Sequence, residues 1–293
     1  MSNVWSWWII IGTVVSLVAC FWLVAWANRQ RASDDEIAEA ESHVWDEDVR
    51  ELNNPLPMWW LWLFVGTIIW SGAYLIWYPG LGDFAGMSGW SQESQYNEEV
   101  AAAEAQYGPM FAAYGAMSVE ELVNDEKALS IGFSLYQNYC SQCHGSTAQG
   151  GRGFPNLTDD VWQWGDTPAA IEQSILLGRT GVMPPLNAVF GSDEAIDEMV
   201  RYTQNMQDGM DTSSPAHTQY MQLCNACHGA DGSGMQALGA QSLEDDTWLY
   251  CSSPTEIRKS ITEVRNGAMP AHANLIGPDR ARILAAYVYS LSR

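Results

Sequence analysis

The sequence predicts an all-α protein: an N-terminal two-helix transmembrane hairpin, followed by two similar helical domains in tandem. Three observations carry this. Two apolar, charge-poor runs of membrane-spanning length lie within the first 82 residues. A five-residue pattern, Cys140-Ser141-Gln142-Cys143-His144, returns 84 residues later as Cys224-Asn225-Ala226-Cys227-His228. Other residues keep nearly that spacing: Trp162 and Trp248 are 86 apart, as are Met183 and Met269, which marks a repeated unit.

Residues 1–28 hold no charged side chain, and the run 4–27 is long enough to cross a bilayer as a helix, which takes roughly 20 residues. Trp5, Trp7 and Trp8 at one end and Trp22 and Trp26 at the other sit where an interfacial aromatic belt would. A signal peptide would carry a basic n-region, yet no Lys or Arg precedes Arg29. Leu17-Val18-Ala19-Cys20 has the form of a lipoprotein cleavage box, but the segment is expected to stay as an uncleaved span. Residues 29–51 are polar, with nine acids and three arginines. The second span covers 57–78, inside the charge-free stretch 52–82. It is entered through Pro55-Leu56-Pro57 and a tryptophan cluster and closed by Tyr78-Pro79-Gly80. Gly66, Ser71, Gly72 and Ala73 give it a small-residue face of the kind on which helices pack in lipid. Two spans put both termini on one side. Arg29, Arg31 and Arg50 are the only basic residues before Lys127, and all lie in the connecting loop, so loop 28–56 is expected to be cytoplasmic and both termini, with everything after Tyr78, periplasmic.

The segment 83–117 carries five acids and no basic residue. Its Ala/Glu/Gln/Tyr-rich part, 92–106, predicts a peripheral helix linking the hairpin (1–82) to the repeated units, 118–211 and 212–293.

The chemistry lies in those units. In Cys-x-x-Cys-His, two thiols three positions apart bond to the two vinyl groups of a haem, and the adjoining imidazole reaches the iron. A zinc site or a chance pair would account for one copy. Two copies, each followed about forty residues later by a Met-Pro step, point to two covalently bound haem c groups. The ligand set is then Cys140, Cys143 and His144 with Met183, and Cys224, Cys227 and His228 with Met269, each domain being taken as self-contained. A thioether is a soft ligand that favours ferrous iron and raises the reduction potential. His217 and His272 are the alternative ligands; His217 has no counterpart in the first unit, and His272 is expected on the surface. Gly132 and Tyr136 near the start of one unit match Ala216 and Tyr220 in the other, and Tyr202 matches Tyr287 near the ends. A small residue facing an aromatic ring predicts that the first and last helices of each unit cross. Cys20 and Cys251 are expected to be free.

The formal charge of −22 argues against nucleic acid and suits a basic protein partner. From 118 to 211 there are fourteen acids and four bases, net −10; from 212 to 293, seven and six, net −1. The first domain is therefore the expected landing site for a basic donor, with Asp159, Asp160, Asp166, Asp193, Glu194, Asp197 and Glu198 as contributors.

Leu52-Asn53-Asn54-Pro55-Leu56-Pro57, followed by a Trp-rich helix and two Cys-x-x-Cys-His domains, resembles the dihaem subunit of cbb3-type (C-family) cytochrome c oxidases over nearly the whole chain. The resemblance implies tandem cytochrome c-like domains anchored in the bacterial inner membrane. It implies an electron carrier without a catalytic residue of its own, fed by a soluble donor cytochrome c. Its partners would be a monohaem cytochrome c subunit and a catalytic haem-copper subunit. Two rival readings stay open at this point: a dihaem subunit of another respiratory complex, and a dihaem peroxidase or sensor, which needs an iron with an open position.

Overall fold

The computed structural model describes residues 3–29, 44–45, 49–50 and 56–293. Most of the connecting loop, including Arg31, and the Leu52–Pro55 part of the signature lie outside the described residues. The chain forms two compact units, Met1–Ala105 and Gln106–Arg293.

The first unit holds the hairpin. Helix α1 spans Asn3–Arg29 and α2 spans Met58–Trp77, and both are long and apolar enough to cross a membrane. Strands β1 (Val44–Trp45) and β2 (Val49–Arg50) pair antiparallel between them. Pro57 sits at the N-cap of α2, where its missing N–H costs nothing. Most of the large apolar side chains of both helices face outward: Trp7, Trp22, Trp59, Trp62 and Trp70 are all exposed. An apolar surface of this extent needs lipid or another helix around it. Among the described residues, nothing outside the helix's own backbone lies within 4 Å of where a Cβ would stand at Gly66 or Gly72, so the small-residue face of α2 is open there. The backbone N–H of Asp83 donates to Ser6 Oγ at 2.8 Å, which sets the start of α1 beside the exit of α2, as two antiparallel crossings require.

Helix α3 (Gln92–Gly115) is longer than expected and carries Pro109 inside it. In the second unit follow α4 (Val119–Leu122), α5 (Glu126–Tyr139), α6 (Ser141–His144), α7 (Pro168–Leu177), β3 (Arg179–Met183), α8 (Asn187–Phe190) and α9 (Asp193–Gln204). The repeat continues with α10 (Pro215–Leu223), α11 (Asn225–His228), α12 (Pro254–Thr262), β4 (Arg265–Met269) and α13 (Ala273–Ser290). Side-chain caps start most of these helices: Asp125 accepts from the N–H groups of Lys127 and Ala128, and Thr167, Ser192, Ser214 and Ser253 cap α7, α9, α10 and α12. Helix α13 breaks at Gly277 (φ 75°), and Pro278 opens its long second piece.

First and last helices do cross, but with exchanged partners. Helix α13, at the end of the second sequence unit, packs on α5 and α7 of the first. A Cβ at Gly132 would stand 2.5 Å from Tyr287 Cβ, and the rings of Tyr136 and Tyr287 are 5.6 Å apart. Helix α9, at the end of the first sequence unit, packs on α10 and α12 of the second. There Tyr202 lies 5.9 Å from Tyr220, beside buried Ala216. Two hydrophobic cores result. One gathers Leu122, Ala128, Tyr136, Ile171 and Ile175 with Ile283, Leu284 and Val288; the other gathers Ile196, Met199, Val200, Tyr220, Ile257 and Ile261. The expectation of self-contained domains is corrected on this point: each body is closed by the other unit's last helix. Only ten residues separate α9 from α10, so α9 meets the helix that follows it directly in the chain. The crossover runs through a ladder in which β3 and β4 pair antiparallel, Gly181 opposite Gly267. The expected irregular Met-Pro loops are thus the ends of two strands.

Candidate functional site

Each Cys-x-x-Cys-His is a single helical turn that begins where a longer helix stops. Cys140 is the C-cap of α5, and its carbonyl accepts from the N–H groups of both Cys143 (3.1 Å) and His144 (3.0 Å). The Cys224 carbonyl does the same for Cys227 and His228, at 3.1 and 2.9 Å. Glycine follows each histidine in a positive-φ conformation (78° at Gly145, 80° at Gly229), which turns the chain sharply back. A tyrosine hydroxyl locks each turn: Tyr136 donates to the Gly145 carbonyl at 2.6 Å and Tyr220 to that of Gly229 at 2.7 Å. Burial pushes the Tyr136 hydroxyl up to about 12, so it remains a donor. Tyr136→Phe keeps the ring but strips the carbonyl of its partner, a loss of about 1–3 kcal/mol when the acceptor stays dry. A lower denaturation midpoint with the haem content preserved is the expected result.

The imidazoles are oriented for metal binding. His144 Nδ1 is 3.0 Å from the carbonyl oxygen of Pro155, and His228 Nδ1 is 2.8 Å from that of Gln241. A carbonyl only accepts, so each Nδ1 carries the proton and each Nε2 keeps its lone pair for iron. Burial pushes both imidazoles below their ordinary value, outweighing the pull of those bonds, and so favours the neutral, ligating form. The Cys140 and Cys224 thiols are pushed up to about 11, by burial first and the second motif cysteine next. Cys143 and Cys227 are exposed.

Both motifs and both methionines line one cavity of about 890 Å³, walled by apolar side chains such as Leu157, Ile171, Ile175, Leu243 and Ile257. An apolar chamber with paired thiols, oriented imidazoles and thioethers fits haem c. All eight residues expected from the sequence come together here. The methionines, however, follow the exchange. Met269 packs against the core that holds Cys140, and the next residues run along α7: His272 N–H donates to the Ile175 carbonyl at 2.9 Å, and a Cβ at Gly178 would meet the Met269 carbonyl. The segment after Met183 enters the other core, where Leu186 N–H donates to the Ile261 carbonyl at 2.8 Å and Phe190 is buried. His217, the alternative ligand, is not among the residues that line the cavity, and its Nδ1 is 2.7 Å from the Tyr202 hydroxyl. His272 is less exposed than expected, with a buried Nδ1.

The two bodies meet through the loops after their motifs. Gly153 N–H donates to the Leu249 carbonyl (2.7 Å), Gln163 Nε2 to that of Gly239 (2.7 Å), and Gln236 Nε2 to that of Trp162 (3.2 Å). Two residues of this region escaped sequence reasoning. Arg179 lies over the Trp164 ring at 5.1 Å and Arg265 over Tyr250 at 4.1 Å. Their signal was present: each stands four residues before its unit's methionine, 86 apart.

The chain matches known protein families over much of its length. Residues 38–85 match the family described as the N-terminal domain of cytochrome oxidase-cbb3, FixP, and residues 127–202 and 214–288 match cytochrome c oxidase, cbb3-type, subunit III. The chain is similar to the cbb3-type cytochrome c oxidase subunit CcoP of Rubrivivax gelatinosus, 39% identical with 99% of this chain and 95% of the relative covered. It is also similar to subunit FixP of Rhizobium meliloti (strain 1021), 34% identical over 88% of this chain and 96% of the relative. Subunit CcoP of Azospirillum sp. (strain B510) is likewise 34% identical, over 88% and 97%.

Proposed function

The chain belongs to the subunit III family of cbb3-type cytochrome c oxidases, and we propose that it relays electrons through two haems c from a soluble, basic donor cytochrome towards the catalytic core. It is a membrane-anchored cytochrome c electron-transfer subunit of that oxidase, with partners inside the complex. When bound, haem c supplies a one-electron Fe(III)/Fe(II) couple.

The observation that carries the two-haem count is the doubling of the whole set: two Cys-x-x-Cys-His turns, each with its Nδ1 tied to a carbonyl, and two methionines lining the same cavity. The thiols would tether each haem, the Nδ1 bonds keep each Nε2 available to its iron, and the methionine sulfurs would be the second ligands. His144 pairs with Met269 and His228 with Met183, a pairing supported by the cores in which their segments lie. A histidine and a methionine available to each iron would leave it no open position, which disfavours a peroxidase or sensor. The partners within the oxidase are a monohaem cytochrome c subunit and a catalytic haem-copper subunit. The membrane is the bacterial inner membrane, with loop 28–56 cytoplasmic and the haem domains periplasmic. The test of the count is covalent haem per chain after denaturation: two is expected, and one in Cys140→Ala/Cys143→Ala. A single haem in the unaltered chain rejects the proposal.

The exchange moves the acidic landing surface. The first body, 118–184 with 265–293, has nine acids and seven bases, net −2; the second, 185–264, has twelve and three, net −9. The contrast expected between sequence units is thereby reversed. Within α9, Asp193 (2.5 Å) and Asp197 are paired with Arg258, which leaves Glu194 and Glu198, with Glu244 and Asp246, as the better contributors. The second-order rate of reduction by a basic donor cytochrome should fall steeply with salt, since the screening length shrinks from about 30 Å at 0.01 M to about 10 Å at 0.1 M. Charge reversal at Glu194, Glu198, Glu244 and Asp246 should flatten that slope, and reversal at Asp159, Asp160 and Asp166 should change it little. The opposite pattern places entry on the first body.

A further inference from the structure

Every methionine in the ladder has an arginine as its partner. In the register of β3 and β4, Arg179 stands opposite Met269 and Arg265 opposite Met183. Directly opposed residues of an antiparallel pair have their side chains on one face, with Cβ atoms about 5 Å apart. Each candidate distal ligand is therefore accompanied by a fixed cation, which lines the same cavity.

The two cations share two anchors, a serine hydroxyl and a helix carbonyl, and differ in their other partners. Arg179 Nε donates to Ser174 Oγ (2.8 Å) and its Nη2 to the carbonyl of Ala170 and to Gln173 Oε1 (both 3.2 Å). Arg265 Nε donates to Ser260 Oγ (3.0 Å) and its Nη2 to the carbonyl of Glu256 (3.3 Å). Ser174 matches Ser260, and Ala170 matches Glu256, at the same spacing of 86. The Glu256 carboxylate then adds what Ala170 cannot: its Oε2 is 3.0 Å from Arg265 Nη2, with both side chains less than a fifth exposed. Among the described residues Arg179 has no carboxylate partner. Arg152 also reaches Glu256, at 2.5 Å, but its side chain is 61% exposed, on the side where water screens its charge.

Oxidation adds one positive charge at an iron, so a nearby uncompensated cation favours the ferrous state and raises the potential, while a paired one does so less. We propose that Arg179 and Arg265 are positioning residues that tune the two haems, and that Glu256, answering to Ala170, makes the haem facing Met183 the lower-potential one. One electron then passes from ferrous iron on the Met183 side to ferric iron on the Met269 side. The donor cytochrome supplies it and the rest of the oxidase removes it. The direction is from the acidic second body to the first. The inference rests on the methionine ligation proposed above and deepens it.

The test is a charge transplant in the assembled oxidase. Both positions are the third residue of a helix capped by Thr167 or Ser253, where glutamate is favourable, so Ala170→Glu is expected to fold. Redox titration of the c-type absorbance gives two midpoints, each labelled by whether Met269→Ala or Met183→Ala moves it. Ala170→Glu should lower the Met269-linked midpoint and Glu256→Ala raise the Met183-linked one. Each change should alter the equilibrium constant between the haems about tenfold, or 59 mV for one electron. The double variant should invert their order. Arg179→Gln should lower the Met269-linked midpoint, and Arg179→Lys restore it, which a purely structural role would not do. Unmoved midpoints in Ala170→Glu and Glu256→Ala, or shifts on the opposite haem, overturn the proposal. Failure of the ligation itself would show separately, as methionine variants that move neither midpoint.

Discussion

Met269→Ala is expected to alter the haem tethered at Cys140 and Cys143, although Met269 lies in the other sequence unit. Its segment runs against α7, in the core that contains Cys140, while Met183 leads into the core of Ile257 and Ile261. Replacing the thioether removes a soft sixth ligand that favours ferrous iron. The affected midpoint should fall by at least about 60 mV, a tenfold change in a one-electron equilibrium. The reduced iron should also gain carbon monoxide binding that the unaltered protein lacks. The exchange is read by combination. In Cys140→Ala/Cys143→Ala, which leaves one haem, Met269→Ala should be spectroscopically silent and Met183→Ala should open the remaining iron. The reciprocal background, Cys224→Ala/Cys227→Ala, should give the reverse, and serves if the first proves unstable. A self-contained pairing predicts the opposite outcome in both.

Gly132→Val is expected to be strongly destabilising. Its Cβ would stand 2.5 Å from Tyr287 Cβ and 3.0 Å from the Ile283 carbonyl. Those atoms belong to or adjoin the α13 backbone, so relief requires α5 and α13 to move apart. Overpacking of a dense core costs typically 1–3 kcal/mol, and a backbone clash at a helix crossing belongs at the upper end. The corresponding contact in the second body already accommodates a Cβ, at Ala216. Ala216→Gly should therefore cost only about 1 kcal/mol, from helix propensity and lost packing. Chemical denaturation checks both: Gly132→Val should expose the haem at Cys140 at lower denaturant while the haem at Cys224 stays protected.

What could be read in the sequence was the part whose chemistry is contiguous. Cys-x-x-Cys-His is one turn of chain, so its function needs no knowledge of the fold, and a membrane span is likewise a property of one run of residues. Helix partners are different. Tyr287 satisfies Gly132 and Tyr202 satisfies Ala216, but the opposite assignment obeys the same small-against-aromatic rule. In a repeat the two solutions look alike, and only packing chooses between them. The ladder was hidden for a related reason: Arg-Thr-Gly-Val-Met has no strand alternation, and its partner lies 86 residues away. Helix α3 outran its expected end because its last turns find partners: Phe111 lies under Arg280, and the Gly115 carbonyl accepts from Arg282.

The exchange also sets a timetable. The first motif leaves the ribosome long before residues 273–290, yet those residues supply much of the core against which Cys140 packs. Until they arrive, the side of the motif at Cys140 is open to whatever must attach a haem there. The second body closes early, because α9 to α12 are consecutive in the chain. Contacts spanning so many residues form late, since loop closure must come first. A chain cut short after Thr262 would therefore lose the domain it made first and keep much of the one it made last.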